Sequence, residues 1–185
     1  MVLVPRMVDA VAPTLVLAAG GIADARGLAA ALCLGADGIV MGTRFLATVE
    51  ANAHSTYKAR LVAAGEDDTV RTTLFGRGWP HAPHRTLKTP FVKEWVAREN
   101  DTQDSQAGGP VIAHTTIAGM DIPVQRFVSM PPNVRASGDI DAMSLLAGQS
   151  VGLVDEIRPA AEIVHEIVHE AEALTRRLNQ LLTRE

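Results

Sequence analysis

The sequence predicts an α/β protein that contains a parallel strand–helix–strand unit near its N-terminus. Two short apolar runs, Leu15–Ala18 and Gly38–Met41, lack polar alternation, which is typical of parallel strands covered on both faces. Between them, Ala25–Leu34 has apolar residues at helical spacing, and Gly35 follows as a helix stop. A helical crossover of about ten residues makes the two strands parallel, so that both end at the same edge of the sheet.

A glycine turn follows each predicted strand, Gly20-Gly21 after the first and Gly42-Thr43 after the second. Glycine has no Cβ atom, so a ligand can approach the main chain closely at these turns. In β/α barrels, the loops after the last two strands and the N-terminus of a short helix commonly hold a phosphate group. Either turn alone would fit a generic α/β domain. The two together predict a phosphate site.

The rest of the chain is predicted to be less regular. The pattern indicates a helix over Glu50–Ala64, a short exposed strand in which Val70, Thr72 and Leu74 alternate, and a short helix over Phe91–Arg98. Polar residues, glycine and proline dominate 100–110 and 123–138, so we expect this middle region to be mostly loop.

Composition excludes several classes of protein. The net charge is −4 and no basic stripe is interleaved with aromatic residues, which gives nucleic-acid binding little support. The single cysteine, Cys33, excludes an internal disulfide framework, and we expect it to pack on the crossover helix. No apolar run approaches the roughly 20 residues that a membrane span needs, and no signal-peptide core is present. We therefore expect a cytoplasmic protein with no membrane partner.

Two adjacent stretches resemble the nitronate monooxygenases, formerly called 2-nitropropane dioxygenases: AAGGIADARG and GADGIVMGTRFLAT. The resemblance continues through DTVRTTLFGR and SGDIDAMSLLAGQSVGLVDEIRPAAEIV. These enzymes are FMN-dependent β/α barrels, so the resemblance implies an α/β fold that is part of a (β/α)8 TIM barrel. It also implies FMN contacts at Gly20, Gly21, Val40, Met41, Gly42, Thr43 and Gln149.

The resemblance departs from the family at the front of the chain. Met1–Val11 looks like the helix before the seventh barrel strand, so six strands and the segment that carries the family's catalytic histidine would lie upstream of Met1. We therefore expect 1–185 to be the C-terminal part of an FMN-binding barrel: a phosphate-binding unit over 1–64, a loop-rich region over 65–136, and C-terminal helices over 137–185. Its last two barrel strands would keep an open edge, through which we expect self-association.

The resemblance implies oxidation of an alkyl nitronate with O2, with the catalytic residue unassigned in this chain. FMN-dependent enoyl-acyl-carrier-protein reductases carry nearly the same two turns, so enoyl-thioester reduction stays open as an alternative. A non-catalytic fragment is the third reading. By the same resemblance, 129–133 would border the active-site mouth, and Leu145-Leu146 stands where many relatives carry an aromatic residue.

Several other residues suggest chemistry that their context does not favour. His165, Glu166 and His169 match the zinc pattern H-E-x-x-H, but at helical spacing both histidines fall opposite the apolar stripe, so we predict a solvated face and no metal. His81 and His84 are expected in a polar loop. Finally, Tyr57 and Lys58 are expected on a surface helix, with no role.

Overall fold

The computed structural model describes residues 2–79, 81–98 and 109–183. The predicted strand–helix–strand unit is present, as β1 (Leu17–Ala19), α2 (Ala25–Cys33) and β2 (Gly38–Val40), and α1 (Leu3–Val11) precedes it. The two strands are parallel, with Leu17 opposite Gly38 and Ala19 opposite Val40. Asp24 caps α2, because its carboxylate accepts a hydrogen bond from the Gly27 N–H at 3.1 Å.

The strands of this unit are not covered on both faces, and they keep the open edge that was predicted for them. Ala18 is buried against Ala31 of α2, but Leu15 and Leu17 are 76% and 57% exposed and Val40 is 50% exposed. Within the described residues, β1 and β2 pair only with each other, so each keeps one unpaired edge. No closed barrel forms in this part of the chain.

The remaining elements of the described residues include two further small sheets and four α-helices. In chain order they are α3 (Thr43–Leu46), α4 (Ser55–Val62), β3 (Thr69–Thr72), β4 (His84–Leu87), α5 (Pro90–Trp95), β5 (Val111–Ile117), β6 (Met120–Gln125), β7 (Ser137–Gly138) and the long α6 (Ala160–Leu182). Strands β3 and β4 form an antiparallel pair, and β6, β5 and β7 form an antiparallel sheet in that order. No described helix combines the length and apolar character that a membrane span requires.

Two predicted elements have different bounds or surroundings. The helix predicted from Glu50 begins at Ser55, because the His54 ring caps it by accepting the Thr56 N–H at 3.2 Å. The strand predicted as exposed is β3, and β4 covers it by pairing along its length. Leu74 lies beyond the strand end and is buried.

The middle region contains a β-hairpin that the sequence prediction missed. Ala118 and Gly119 both have positive φ angles, 50° and 81°, and they turn β5 directly into β6. Such a two-residue turn matches the natural twist of paired strands. Of the predicted loop over 123–138, residues 123–125 and 137–138 are in strands, the rest of the hairpin fills 111–122 between the two predicted loops, and most of 100–110 lies outside the described residues.

The core lies between α4, the β5–β6 hairpin and the irregular segment that precedes α6. Its largest fully buried members include Tyr57, Leu61, Val124, Met143 and Leu145. Helix α6 packs against α2 and buries Ile163, Ile167 and Ala171. This core fixes the segment around Leu145 beside the β2–α3 turn.

Candidate functional site

The two glycine turns leave the same edge of the β1–β2 pair. Gly20 and Gly21 have φ angles of 93° and 74°, which lie in the left-handed region that glycine adopts most easily. Gly42 has φ −98°, an ordinary value for any residue. The backbone therefore requires glycine at the first turn and not at the second.

Space, in contrast, is open at all three glycines. A Cβ atom built on Gly20, Gly21 or Gly42 would meet no other heavy atom within 4 Å. At Gly152, by contrast, a Cβ atom would come within 2.7 Å of the Glu66 nitrogen. No neighbouring atom of the chain therefore requires glycine at position 42, and the space beside it is open to a bound group.

A cavity of ≈ 400 Å³ lies beside the second turn. Its walls come from α3, α4, β4 and two loops, and are formed by Gly42, Thr43, Leu46, Tyr57, Arg85, Pro131, Leu146, Ala147 and Gly148. Of the seven predicted FMN contacts, Gly42 and Thr43 line it. Gly20, Gly21, Val40 and Met41 lie at the adjacent strand ends, and Gln149 is an exposed neighbour of Gly148. Pro131 belongs to the segment 129–133 that was expected at the active-site mouth.

Five hydrogen bonds hold the segment 145–148 against this cavity, which makes it a fixed wall. Its carbonyl oxygens accept from Thr86 Oγ1 at 2.8 Å, from the Leu87 N–H at 2.9 Å, and from the Tyr57 hydroxyl. Its N–H groups donate to the Arg85 carbonyl at 3.1 Å and to Thr43 Oγ1 at 3.0 Å. The bond from Gly148 to Thr43 ties this wall directly to the predicted phosphate turn. Thr43 accepts in that bond, so its own hydroxyl hydrogen is available to another acceptor.

Tyr57 and Lys58 are buried, so the prediction of a surface helix without a role is wrong for both. Tyr57 is 1% exposed, and burial raises the pKa of its phenol. The Lys58 ammonium donates to the carbonyl oxygens of Thr48 and Val49, at 2.6 and 3.2 Å, just after α3. The spacing of Tyr57 and Leu61, one helical turn apart, could have indicated a buried face.

Arg44 in α3 is a second buried cation beside the phosphate turn. Its guanidinium donates to the Glu156 carbonyl at 3.2 Å, and desolvation lowers its pKa. In the described part of the chain, neither Arg44 nor Lys58 forms a salt bridge with a carboxylate. Backbone carbonyl dipoles hold both cations in place.

The other predicted residues lie away from this cavity. His165 and His169 are exposed on α6, where Glu166 pairs with Arg158. Across residues 2–79, 81–98 and 109–183, no three His, Cys, Asp or Glu side chains are grouped so as to hold a metal ion.

The predictions for His84 and Cys33 are wrong. His84 begins β4, and its ring lies 5.8 Å from that of Phe75, so it is not in a polar loop. Cys33 is the last residue of α2 and is exposed, so it does not pack in the core as expected. Neither residue lines the cavity.

Comparison with known proteins places the chain in one family. It is 33% identical to the nitronate monooxygenase npaC of Metarhizium robertsii, covering 93% of this chain and 46% of that protein. It is 31% identical to a hydroxy-methyl-oxo-octahydroindene-carboxyl-CoA dehydrogenase of Mycobacterium tuberculosis, covering 91% and 53% respectively. Among solved structures, FabK from Thermotoga maritima matches 97% of this chain and 51% of its own, with 34% identity and a TM-score of 0.71. The chain thus spans about half the length of the curated relatives it matches. A sequence model of the nitronate monooxygenase family matches residues 1–170, and the chain belongs to that family.

Proposed function

We propose that this chain provides the phosphate-binding part of an FMN-dependent oxidoreductase that oxidises alkyl nitronates with O2 to a carbonyl product and nitrite. One observation carries the proposal. At Gly42 neither the backbone nor neighbouring atoms require glycine, yet the space above it is open and adjoins the cavity lined by Thr43. Such an open turn suits a phosphate group that approaches the main chain closely.

The residues present fit the phosphate of a flavin. The N–H groups of Gly21 and Thr43, at adjacent strand ends, would donate to its oxygens, and the Thr43 hydroxyl would add a third donor. Val40 and Met41 would contact the cofactor from the end of β2, and Gln149 from the opposite wall. When bound, FMN would supply the redox chemistry, while these residues hold and orient it.

We further propose that the rest of a nitronate-monooxygenase barrel packs on the open side of β1 and β2. Leu15, Leu17 and Val40 expose apolar side chains there, and paired strands with an unfilled edge favour addition of further strands. The length of the family relatives supports this occupant. The division into 1–64, 65–136 and 137–185, the cytoplasmic location and the placement of the catalytic histidine outside 1–185 belong to the same proposal.

A second candidate function is reduction of an enoyl thioester with a nicotinamide cofactor. The Mycobacterium tuberculosis relative, whose name describes a CoA-thioester dehydrogenase, favours it. The two activities differ in co-substrate, so one preparation can separate them.

The test uses protein expressed from its own locus with a C-terminal tag, which retains any polypeptide that precedes residue 1. Bound flavin is identified by absorbance and mass, and turnover is followed as oxygen consumption with propionate 3-nitronate and as NAD(P)H oxidation with an enoyl thioester. We expect FMN and the first activity. NAD(P)H-dependent thioester reduction alone would support the second candidate, and a colourless, inactive protein would overturn both.

A matched pair of variants tests the site itself. Gly42→Val should abolish FMN retention, because the branched side chain would occupy the proposed phosphate position. Gly65→Val is the control, since Gly65 also has negative φ (−88°) and a Cβ there would meet only Asp68 Oδ2 at 3.8 Å. Equal FMN content in the two variants would refute the assignment of Gly42.

A further inference from the structure

Arg85 is one of the residues that line the cavity beside Thr43. Among the described residues that line this cavity it is the only one with a charged side chain, and the others are glycine, threonine, tyrosine or apolar residues. The resemblance to the family did not single it out. A cation beside a mainly apolar cavity is costly unless it has a partner.

The backbone at Arg85 is held on both sides. In the β3–β4 ladder Arg85 lies opposite Arg71, and its carbonyl oxygen accepts the Ala147 N–H at 3.1 Å. Arg85 is therefore fixed between a strand and the wall that carries Gly148. Its position relative to Thr43 does not depend on a free loop.

The guanidinium of Arg85 has unused donors. One nitrogen, Nη1, donates to Thr69 Oγ1 at 3.2 Å. Within the described residues no carboxylate lies at salt-bridge distance from it, whereas the half-exposed Arg60 has Asp141 at 2.5 Å. A guanidinium offers five N–H donors in a planar fork, which suits the paired oxygens of a phosphate or carboxylate.

We propose that Arg85 is an anion-binding residue of this cavity and sets its specificity for a ligand that carries a phosphate or carboxylate group. The inference rests on the proposed function in one respect, because the two sources of such a group are the flavin phosphate and an acidic substrate. Thr43 lines the same cavity, and its hydroxyl would bind the same anion if that anion is the flavin phosphate. Both sources share the chemistry that Arg85 recognises.

The first experiment compares Arg85→Gln with Arg71→Gln in the C-terminally tagged protein. Arg71 is an exposed arginine across the same ladder and therefore a matched control. If the anion is the flavin phosphate, Arg85→Gln should lower the affinity for FMN at least about tenfold and leave the affinity for riboflavin unchanged. This is the effect expected for loss of charge-assisted hydrogen bonds. If it is a substrate carboxylate, KM for propionate 3-nitronate should rise about tenfold relative to ethyl nitronate, with FMN affinity and kcat unchanged.

The second experiment needs no variant, so it also decides the matter if Arg85→Gln does not fold. Wild-type protein is modified with phenylglyoxal, with and without FMN, propionate 3-nitronate or inorganic phosphate, and the modified arginines are mapped by mass spectrometry. We expect at least one of these anions to protect Arg85 while Arg71 is modified equally throughout. The inference would be overturned if none of these anions protects Arg85. It would also be overturned if a folded Arg85→Gln variant kept the wild-type ratio of FMN to riboflavin affinity and the wild-type ratio of KM for propionate 3-nitronate to KM for ethyl nitronate. If the wild type binds no FMN, the proposed function fails by itself, and protection by inorganic phosphate still decides the role of Arg85.

Discussion

Replacing Tyr57 by phenylalanine tests how firmly the cavity wall is held. The change removes one hydroxyl and keeps the ring, which is 1% exposed in the centre of the core. That hydroxyl donates to the Leu146 carbonyl, one of five hydrogen bonds on the segment 145–148. The variant therefore isolates a single bond without opening a core cavity.

The expected loss in free energy of unfolding is about 1 kcal/mol, the net contribution of a typical intramolecular hydrogen bond. Leaving the Leu146 carbonyl unpaired in a dry interior would raise the loss to roughly 3 kcal/mol. The bond is only partly buried and both residues line the cavity, so the lower figure applies. Removing the whole side chain, in Tyr57→Ala, should cost about 3–5 kcal/mol, because it also leaves a void.

Urea unfolding of the wild type and both variants, followed by circular dichroism, measures these differences. A loss below about 0.3 kcal/mol for Tyr57→Phe, where surface substitutions fall, would refute the claim that this bond fixes the wall. The pH dependence gives an independent check. Burial raises the phenol pKa above its ordinary value of 10.0, so the stabilising neutral form is fully present below pH 10.0 and its contribution is lost as pH rises above it. Tyr57→Phe should therefore lose less stability than the wild type above pH 10.0.

Three further predictions concern the turns, the buried lysine and the histidine pair. Gly21→Ala should lower the free energy of unfolding by about 1 kcal/mol, because φ is positive there, while Gly42→Ala should leave it unchanged. Chemical denaturation of the two variants measures this difference, and equal losses would contradict the backbone argument. Lys58→Met keeps the aliphatic part of the side chain and removes the ammonium that binds two carbonyl oxygens. We expect it to lower the free energy of unfolding, measured by thermal unfolding, by about 2 kcal/mol, whereas the control Lys93→Met, at an exposed lysine, should not change it. His165→Ala combined with His169→Ala should change neither stability nor flavin content, and metal analysis should find no stoichiometric zinc; bound zinc that the double variant loses would reverse this reading.

Sequence predicted best where local signals and tertiary packing agree. The unit β1–α2–β2 was predicted with nearly correct bounds, because Gly35, the helical spacing before it and the two apolar runs are local signals that the packing does not override. The β5–β6 hairpin was missed because its turn, Ala118-Gly119, lacks the usual asparagine or aspartate, and because Pro123 within β6 is uncommon in a strand. Its pairing partner β7 lies far along the chain, and periodicity gives no information about such long-range pairing.

The candidate site divides in the same way. Gly42 and Thr43 could be found from the sequence, because a glycine turn after a parallel strand is a local pattern. Arg85, Tyr57 and Gly148 could not, because each reaches the cavity only through contacts between segments distant in sequence. Tyr57 and Lys58 show most clearly what sequence alone misses. Both were predicted on a surface helix, but their polar groups donate to backbone carbonyl oxygens inside the fold.

The bond from Gly148 to Thr43 gives the segment 145–148 a function beyond packing. Thr43 Oγ1 accepts that N–H, which leaves the threonine hydroxyl hydrogen for an acceptor elsewhere, and the cavity is on its accessible side. The same segment binds the backbone carbonyl of Arg85, so one short stretch of chain contacts both the Thr43 hydroxyl and the main chain that carries the Arg85 guanidinium. A shift of this stretch would move both groups together. Anion binding in this cavity should therefore be more sensitive to substitutions in residues 145–148 than to equally buried substitutions in the aromatic cluster around Phe75, which has no hydrogen bond to either group among the described residues.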